Sequence, residues 1–252
     1  MTQDRKYGWK PDVADHRDYI YKISKPIDLP DHVDRIGLGN PIGNQGQLGS
    51  CTGNASTSAM EIVTGIPALS RLMAYYNGRA YQGWQKQDSG AYLRDVVKGI
   101  QTYGICDESL WPYLPEMFAK KPNTKAYSNG NKNKEKLISY NRLLTLQDIK
   151  TALAEGLPVI FGFSVPEYFE TQNVARTGWV PFPTPTDRIL GGHAVMACGY
   201  DDRPGQDPEP FIWVRNSWGS DWGIQGYFKM PYRWFTDPAR LTDDFWTLVP
   251  KK

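Results

Sequence analysis

Residues 43–56 read GNQGQLGSCTGNAS. Gly43, Gly46 and Gly49 lead to a single cysteine, Cys51, and from there TGNASTSAMEIV sets Ala55, Ala59 and Ile62 at helical spacing. Cys51 therefore stands where a glycine-rich loop turns into a helix of small residues. Unpaired backbone N–H groups at such a junction favour negative charge, so they lower the pKa of a thiol. The same groups can receive an oxyanion. Gln45, six residues earlier, can add a side-chain amide donor to that hole.

A nucleophilic thiol needs a base, and the chain has three histidines. His16 and His32 lie in the charged N-terminal region beside Asp15 and Asp31, where surface or turn positions are expected. His193 opens the apolar run HAVMACGY, which projects a ring from a strand end. RNSWGSDWGIQGY supplies Asn216, whose amide oxygen can orient the imidazole, and Trp218, which can shield that hydrogen bond from water. Each signal is weak alone: a buried cysteine is usually inert packing, and a histidine at a strand start is usually structural. Their order, Gln–Cys–His–Asn, is what carries weight.

Around these residues the chain changes character. The first half reads as helices, with ALSRLMAYYNGRAYQ and AYLRDVVKGIQTYG following the Cys51 helix. AKKPNTKAYSNGNKNKEK, residues 119–136, reads as a solvated loop, because it lacks Arg and has little aromatic interleaving. TLQDIKTALAEG then reads as an amphipathic helix, and LPVIFGFSV, HAVMACGY, FIWVRNSW and GYFKM as short strands. Helices followed by strands predict an α+β protein of two lobes with a cleft between them.

Composition narrows the class. Of 252 residues, 13% are aromatic and 22% charged, as in a globular chain, and the formal net charge of +2 gives no reason to expect nucleic acid or a membrane surface as partner. Three widely spaced cysteines (Cys51, Cys106, Cys198) without a CxxC pair argue against a metal ribbon or a disulfide scaffold. No metal or cofactor is expected. The opening MTQDRKYGWKPDVADHRDYIY contains no apolar run of the secretory kind, so a cytoplasmic location is expected, or a secreted one if a leader has been removed.

The chain resembles the papain-like cysteine peptidases. NQGQLGSC is similar to that family's oxyanion-glutamine and nucleophile segment, GGHAVMACGY to its histidine segment and RNSWGSDWGIQGYF to its Asn–Trp segment. YGICDESLWPY (103–113) and LPDHVD (29–34) add weaker likenesses, the latter to the start of the mature enzyme. The resemblance implies a two-lobed papain-like fold: a short N-terminal pro-segment over 1–28, a mainly helical lobe over 29–135 carrying Cys51, and a β-rich, barrel-like lobe over 136–252 carrying His193 and Asn216. It implies Cys51 as nucleophile, His193 as base and acid, Asn216 as orienter and Gln45 as oxyanion donor. It also implies a substrate wall at Ser89, Gly90, Ala91 and Tyr92, faced by Ser164, Gly192 and Trp218, with an apolar P2 residue preferred. A monomer acting on peptides or proteins is expected.

Departures from the pattern are informative. Leu48 stands where many members have a disulfide-forming cysteine, and Thr52 where a Trp is common, features more like bacterial or archaeal members. No paired-His insertion of the carboxydipeptidase kind is visible. Two other readings compete. A transglutaminase-like acyltransferase would orient its histidine with Asp, where this chain has Asn216. A catalytically silent binding protein would have lost part of the polar set, and none is missing. The first 28 residues carry Tyr7, Trp9, Tyr19 and Tyr21 among charges and prolines. Such a segment could be a disordered tail, a tail packed on the body as plain structure, or a short pro-segment in or beside the cleft. The last would inhibit by running backwards through the cleft or by holding its peptide bonds away from Cys51, and acidification is expected to loosen it.

Overall fold

A computed structural model describes residues 5–22, 28–205 and 207–251. Of the expected 1–28 segment, residues 1–4 and 23–27 therefore lie outside the described residues. The order of elements is β1 (Trp9–Lys10), β2 (His32–Val33), α1 (Cys51–Thr64), α2 (Arg71–Ala80), β3 (Ala91–Tyr92), α3 (Leu93–Tyr103), α4 (Thr124–Lys134), β4 (Leu137–Arg142), α5 (Leu146–Ala154), β5 (Val159–Pro166), α6 (Gln172–Thr177), β6 (Ile189–Asp201), β7 (Phe211–Arg215), β8 (Tyr227–Pro231), α7 (Arg233–Thr236) and β9 (Thr242–Pro250). Helices dominate up to residue 134 and strands thereafter, as the sequence pattern predicts.

Helix α1 is the axis of the molecule. Residues Cys51 to Thr57 are all buried, which its run of Gly, Ala, Ser and Thr permits on every face. A Cβ on Gly53 would come within 2.8 Å of the Arg71 carbonyl and 2.9 Å of the Tyr75 Cβ, so the glycine sets how closely α2 approaches. Gly65, left-handed at φ +67°, ends the helix by donating its N–H to the Glu61 carbonyl.

The strands β4-β9-β5-β6-β7-β8 form one sheet in that order, with the short β2 also pairing with β6. Strand β5 pairs antiparallel with β6 from Val159–Ala197 to Pro166–Ile189, and β6 pairs antiparallel with β7. The apolar stretch of β5 is buried throughout except at Ser164, which is why its sequence reads as a continuous apolar run rather than an alternating one. Two connections seat the loop before Cys51 on the sheet: the Gln45 N–H donates to the Ser217 carbonyl at 2.9 Å, and the Gly219 N–H to the Gly43 carbonyl at 3.1 Å.

Residues 119–136 depart from the expected loop, because α4 occupies most of them. The Lys/Asn/Gly content does not favour a helix by propensity. Asn123 caps it by accepting from the Ala126 N–H, and Ala126 and Gly130 are buried against the preceding helix. There a Cβ on Gly104 would lie 1.8 Å from the Gly130 carbonyl. Tertiary contact overrides the local preference.

Candidate active site

The helix, the sheet and the loop that joins them converge on Cys51. Ser50, at the N-cap, makes no side-chain cap; its hydroxyl pairs with Tyr113 at 2.5 Å and accepts from Asn54. The N–H groups of Cys51 and Thr52 are thus left facing the sulfur, joined by the Ala194 N–H from β6 and the Gly8 N–H from the N-terminal segment. Next to Ala194, the His193 ring meets Asn216: Nε2 lies 2.8 Å from Oδ1, which also accepts the Ser217 N–H. Nδ1 of His193 has no partner, so it is the nitrogen available to a proton from elsewhere. Trp218 stacks on the imidazole at 5.1 Å and 28° and is itself buried, as expected of a shield over the His193–Asn216 bond.

Gln45 is buried in the same place. Its Oε1 accepts from the Ser217 hydroxyl at 2.6 Å, which turns the Nε2 donor toward the Leu48 carbonyl at 3.0 Å and the Lys6 carbonyl at 3.4 Å. All four residues of the expected polar set therefore meet at the N-terminal end of α1.

Of the residues expected to form a substrate wall, Ser89 and Gly90 lead into β3, which holds Ala91 and Tyr92. Ser89 turns its hydroxyl onto the Gly90 carbonyl, and the Gly90 N–H is taken by the Tyr75 hydroxyl at 3.0 Å. The main-chain donor left for a chain in the cleft is the Ala91 N–H. Gly90 is needed for another reason: at φ +74°, a Cβ there would lie 2.2 Å from the Gly8 carbonyl. On the opposite side, Ser164 pairs with Gly192 across β5 and β6, and Tyr92 packs its ring 5.6 Å from Trp84.

A strand already lies in this cleft, and it is the N-terminal segment. Strand β1 runs parallel to β3, with Trp9 opposite Ala91, and the Gly8 carbonyl accepts the Ala91 N–H at 2.8 Å. Gly8 passes so close to the body that a Cβ there would lie 1.9 Å from the Gly49 carbonyl. Tyr7 sits edge-on to His193 and bonds Glu170, and the Arg5 guanidinium lies 3.7 Å over the Trp218 ring. Lys6 pairs with Asp88 at 2.6 Å. The Trp9 indole lies on β5 and β6, where Cβ atoms on Gly162 and Gly192 would come within 1.9 Å and 2.7 Å of its ring, and its Nε1 donates to Asp244 at 3.1 Å.

Farther along, the segment is held by charge. Asp18 makes a two-pronged pair with Arg94 at 2.8 and 2.7 Å and also contacts Arg142 at 3.2 Å. Asp12 accepts from Trp246 Nε1 at 3.0 Å, and its own N–H donates to Asp244 at 2.7 Å. Tyr21 bonds Glu155 at 2.6 Å.

Covered in this way, Cys51 and His193 are both pushed toward their neutral forms. Burial pushes the Cys51 thiol up to about 11, against the pull of the four N–H groups. Burial also pulls His193 down to about 4, with the Asn216 bond opposing and Arg5 adding to the fall. Burial in the covered site works against charge on either group, because water that would solvate a thiolate and an imidazolium is excluded. Asp12 is raised by burial first and by the neighbouring Asp244 second, and Asp244 by burial.

Sequence reasoning passed over Gly8, Asp12, Arg94, Arg142, Gly162 and Asp244. The one local signal was Gly162, a glycine inside an apolar strand, which marks close approach by another group. Cys106 and Cys198 are free and buried, and burial raises both thiols to about 12. Among the described residues, no group of three or more His, Cys, Asp or Glu is arranged to hold a metal ion. None of the described helices is long and apolar enough to cross a membrane.

Comparison with known proteins identifies the family and the fold. Residues 29–235 match the family described as "Papain family cysteine protease". An uncharacterized peptidase C1-like protein of Acanthamoeba polyphaga mimivirus is 38% identical over 254 residues, covering 95% of this chain and 76% of that protein. Cysteine proteinase 2 of Zea mays is 32% identical over 81% of this chain, which spans 56% of the maize protein's length. Among solved structures, xylellain, a cysteine protease from Xylella fastidiosa, superposes with a TM-score of 0.86 at 34% identity, over 100% of this chain and 98% of its own. Procathepsin L 3 of Tenebrio molitor shares the fold at a TM-score of 0.71 and 21% identity, over 98% of this chain and 77% of its own.

Proposed function

The chain belongs to the papain family of cysteine proteases, and on that premise we propose that Cys51, His193, Asn216 and Gln45 hydrolyse peptide bonds and that residues 1–28 form a pro-segment holding the site closed. The observation that carries the first part is that the Cys51 sulfur receives the N–H of Ala194, the residue next to His193, while His193 Nδ1 is unpartnered and its Nε2 bonds Asn216 at 2.8 Å under Trp218. When the cleft is open and wet, a proton passes from the Cys51 thiol to His193, and the thiolate attacks the scissile carbonyl carbon. The oxyanion is received by Gln45 Nε2 and the Cys51 N–H. His193 returns the proton to the leaving amine as the C–N bond breaks, and water then hydrolyses the thioester. Asn216 keeps the ring oriented through both steps.

The second part rests on what the segment offers the nucleophile. Cys51 receives the Gly8 N–H, whose amide carbonyl is that of Tyr7, while the Gln45 donor is turned to the Lys6 carbonyl, one residue away. Donor and electrophile are out of register, so the segment fills the cleft without being a substrate. Being tethered, it acts at high effective concentration. The helical unit over 29–135 and the β-rich unit over 136–252 are read as the two lobes. The kinship with bacterial or archaeal members is supported by xylellain, alongside a viral relative.

Purified Cys51→Ala is expected to lose peptide hydrolysis by several orders of magnitude with its thermal unfolding unchanged. Turnover retained in that variant would refute the assignment.

A further inference from the structure

The pocket that Trp9 fills belongs to the body of the protein, not to the segment. Its floor is the backbone of β5 and β6 at Gly162 and Gly192, where side chains would occupy the space of the indole. Its end is Asp244, 1% exposed and held at φ +58°, a backbone conformation that Asp tolerates better than most residues. Asp244 Oδ1 is committed to Arg142 at 2.9 Å. Oδ2 is satisfied only by the segment, through Trp9 Nε1 and the Asp12 N–H. When the segment leaves, a buried carboxylate oxygen loses both donors, which is costly unless a ligand or water replaces them.

Resting on the peptidase reading above, we propose that Asp244 makes this pocket select substrates whose P2 side chain is flat, aromatic and carries an N–H donor where the indole nitrogen lies, tryptophan first. The two glycines admit a ring, and the carboxylate rewards one that donates. A cation is not the better fit. Withdrawal of the segment removes Asp12 and Asp18, leaving Arg94, Arg142 and Arg240 around Asp243 and Asp244, so the two acids are already outnumbered by cations. This differs from the apolar P2 preference expected from the resemblance, because the acid at the end of the pocket comes from β9, far from the wall in sequence.

The test uses the full chain and two peptides identical except at P2, one with tryptophan and one with 3-benzothienylalanine, which keeps the ring and replaces N–H by sulfur. The ratio of kcat/KM for the two is independent of the fraction of chains with the cleft open. A preference of about tenfold or more for tryptophan is expected, as for a hydrogen bond to a buried charge. The same peptides titrated against the full-length Cys51→Ala protein give the ratio without turnover. Equal binding there, or faster cleavage of an arginine P2 peptide than of the tryptophan one, overturns the pocket assignment. If the binding ratio holds and neither peptide is cleaved, the pocket stands and the peptidase reading fails. Asp244→Gly, which suits the positive φ, is expected to bring the ratio close to one.

Discussion

Replacing Trp9 by Ala should open the cleft. The indole is 7% exposed, lies on Gly162 and Gly192, and donates to Asp244. Truncating a buried aromatic of this size costs about 3–5 kcal/mol, and here the loss falls on the docked state of the segment, since an undocked Trp9 makes none of these contacts. At 1.4 kcal/mol per factor of ten, the docking equilibrium shifts by about two to three and a half orders of magnitude. The anchors at Asp12, Asp18 and Tyr21 belong to the same docked state and contribute equally in parent and variant, so the shift reports Trp9 alone. The assay is the second-order rate of Cys51 labelling by a peptidyl epoxide in the full-length protein. A rise of about a hundredfold is expected, stopping only where the open cleft itself limits the rate. Trp9→Phe, which keeps much of the packing and loses the Asp244 bond, should fall between, about tenfold above the parent. A Trp9→Ala protein with unchanged thermal stability and labelling within twofold of the parent would refute the reasoning.

The pH dependence of docking has a definite sign. Asp12 is raised when docked and returns to the ordinary carboxylate range when free, so the docked state holds more protons; docking is strongest below that range and weakens as pH rises through the raised value. The Cys51–His193 pair does not oppose this near neutrality, because a covered thiol and neutral imidazole hold as many protons as an open thiolate and imidazolium. The labelling rate, divided at each pH by that of Trp9→Ala, should therefore climb from pH 4 toward neutrality, opposite to the acid release expected from the sequence, and Asp12→Asn should flatten it; a ratio that falls with pH would contradict this. Gly162→Ala places a methyl where the indole lies and should expel the segment, raising alkylation of Cys51 by iodoacetamide; an unchanged rate in folded protein would show that Trp9 can sit elsewhere. Asn216→Ala should lower kcat/KM less than His193→Ala, since it orients the ring without transferring a proton, and steady-state kinetics would expose the reverse order. Cys198→Ala should keep peptidase activity, because its thiol is packed in β6 with a weak bond to the Trp213 carbonyl, and a loss of activity without unfolding would contradict that reading.

The nucleophile, its base, its orienter and its oxyanion amide were legible because each sits in a short run with its own signature. The glycine loop before Cys51, the apolar strand after His193 and the aromatic turn after Asn216 all constrain the local backbone. The two-lobed α+β order followed from the change of period along the chain. What held the segment was not legible. Asp12, Asp18, Arg94, Arg142 and Asp244 are ordinary surface-type residues in sequence, and only β4, β9 and α3 coming together makes them a buried cluster. Helix α4 was hidden for a similar reason: Lys, Asn and Gly suggest a loop, and the helix depends on an Asn123 cap and on burial of Ala126 and Gly130. The bond from the Gly90 N–H to the Tyr75 hydroxyl was not legible either, because Tyr75 comes from α2, distant in sequence.

The central claim is that Cys51 is the nucleophile of a peptidase, and mass spectrometry of the epoxide-treated protein tests it most directly. The full-length protein is incubated with a peptidyl epoxide until no further mass is added, and the adduct is mapped and compared with residual peptide hydrolysis. One adduct per chain is expected, located on Cys51, with hydrolysis lost in proportion to labelling. An adduct on Cys106 or Cys198 instead, or full hydrolysis in a protein completely labelled at Cys51, would contradict it.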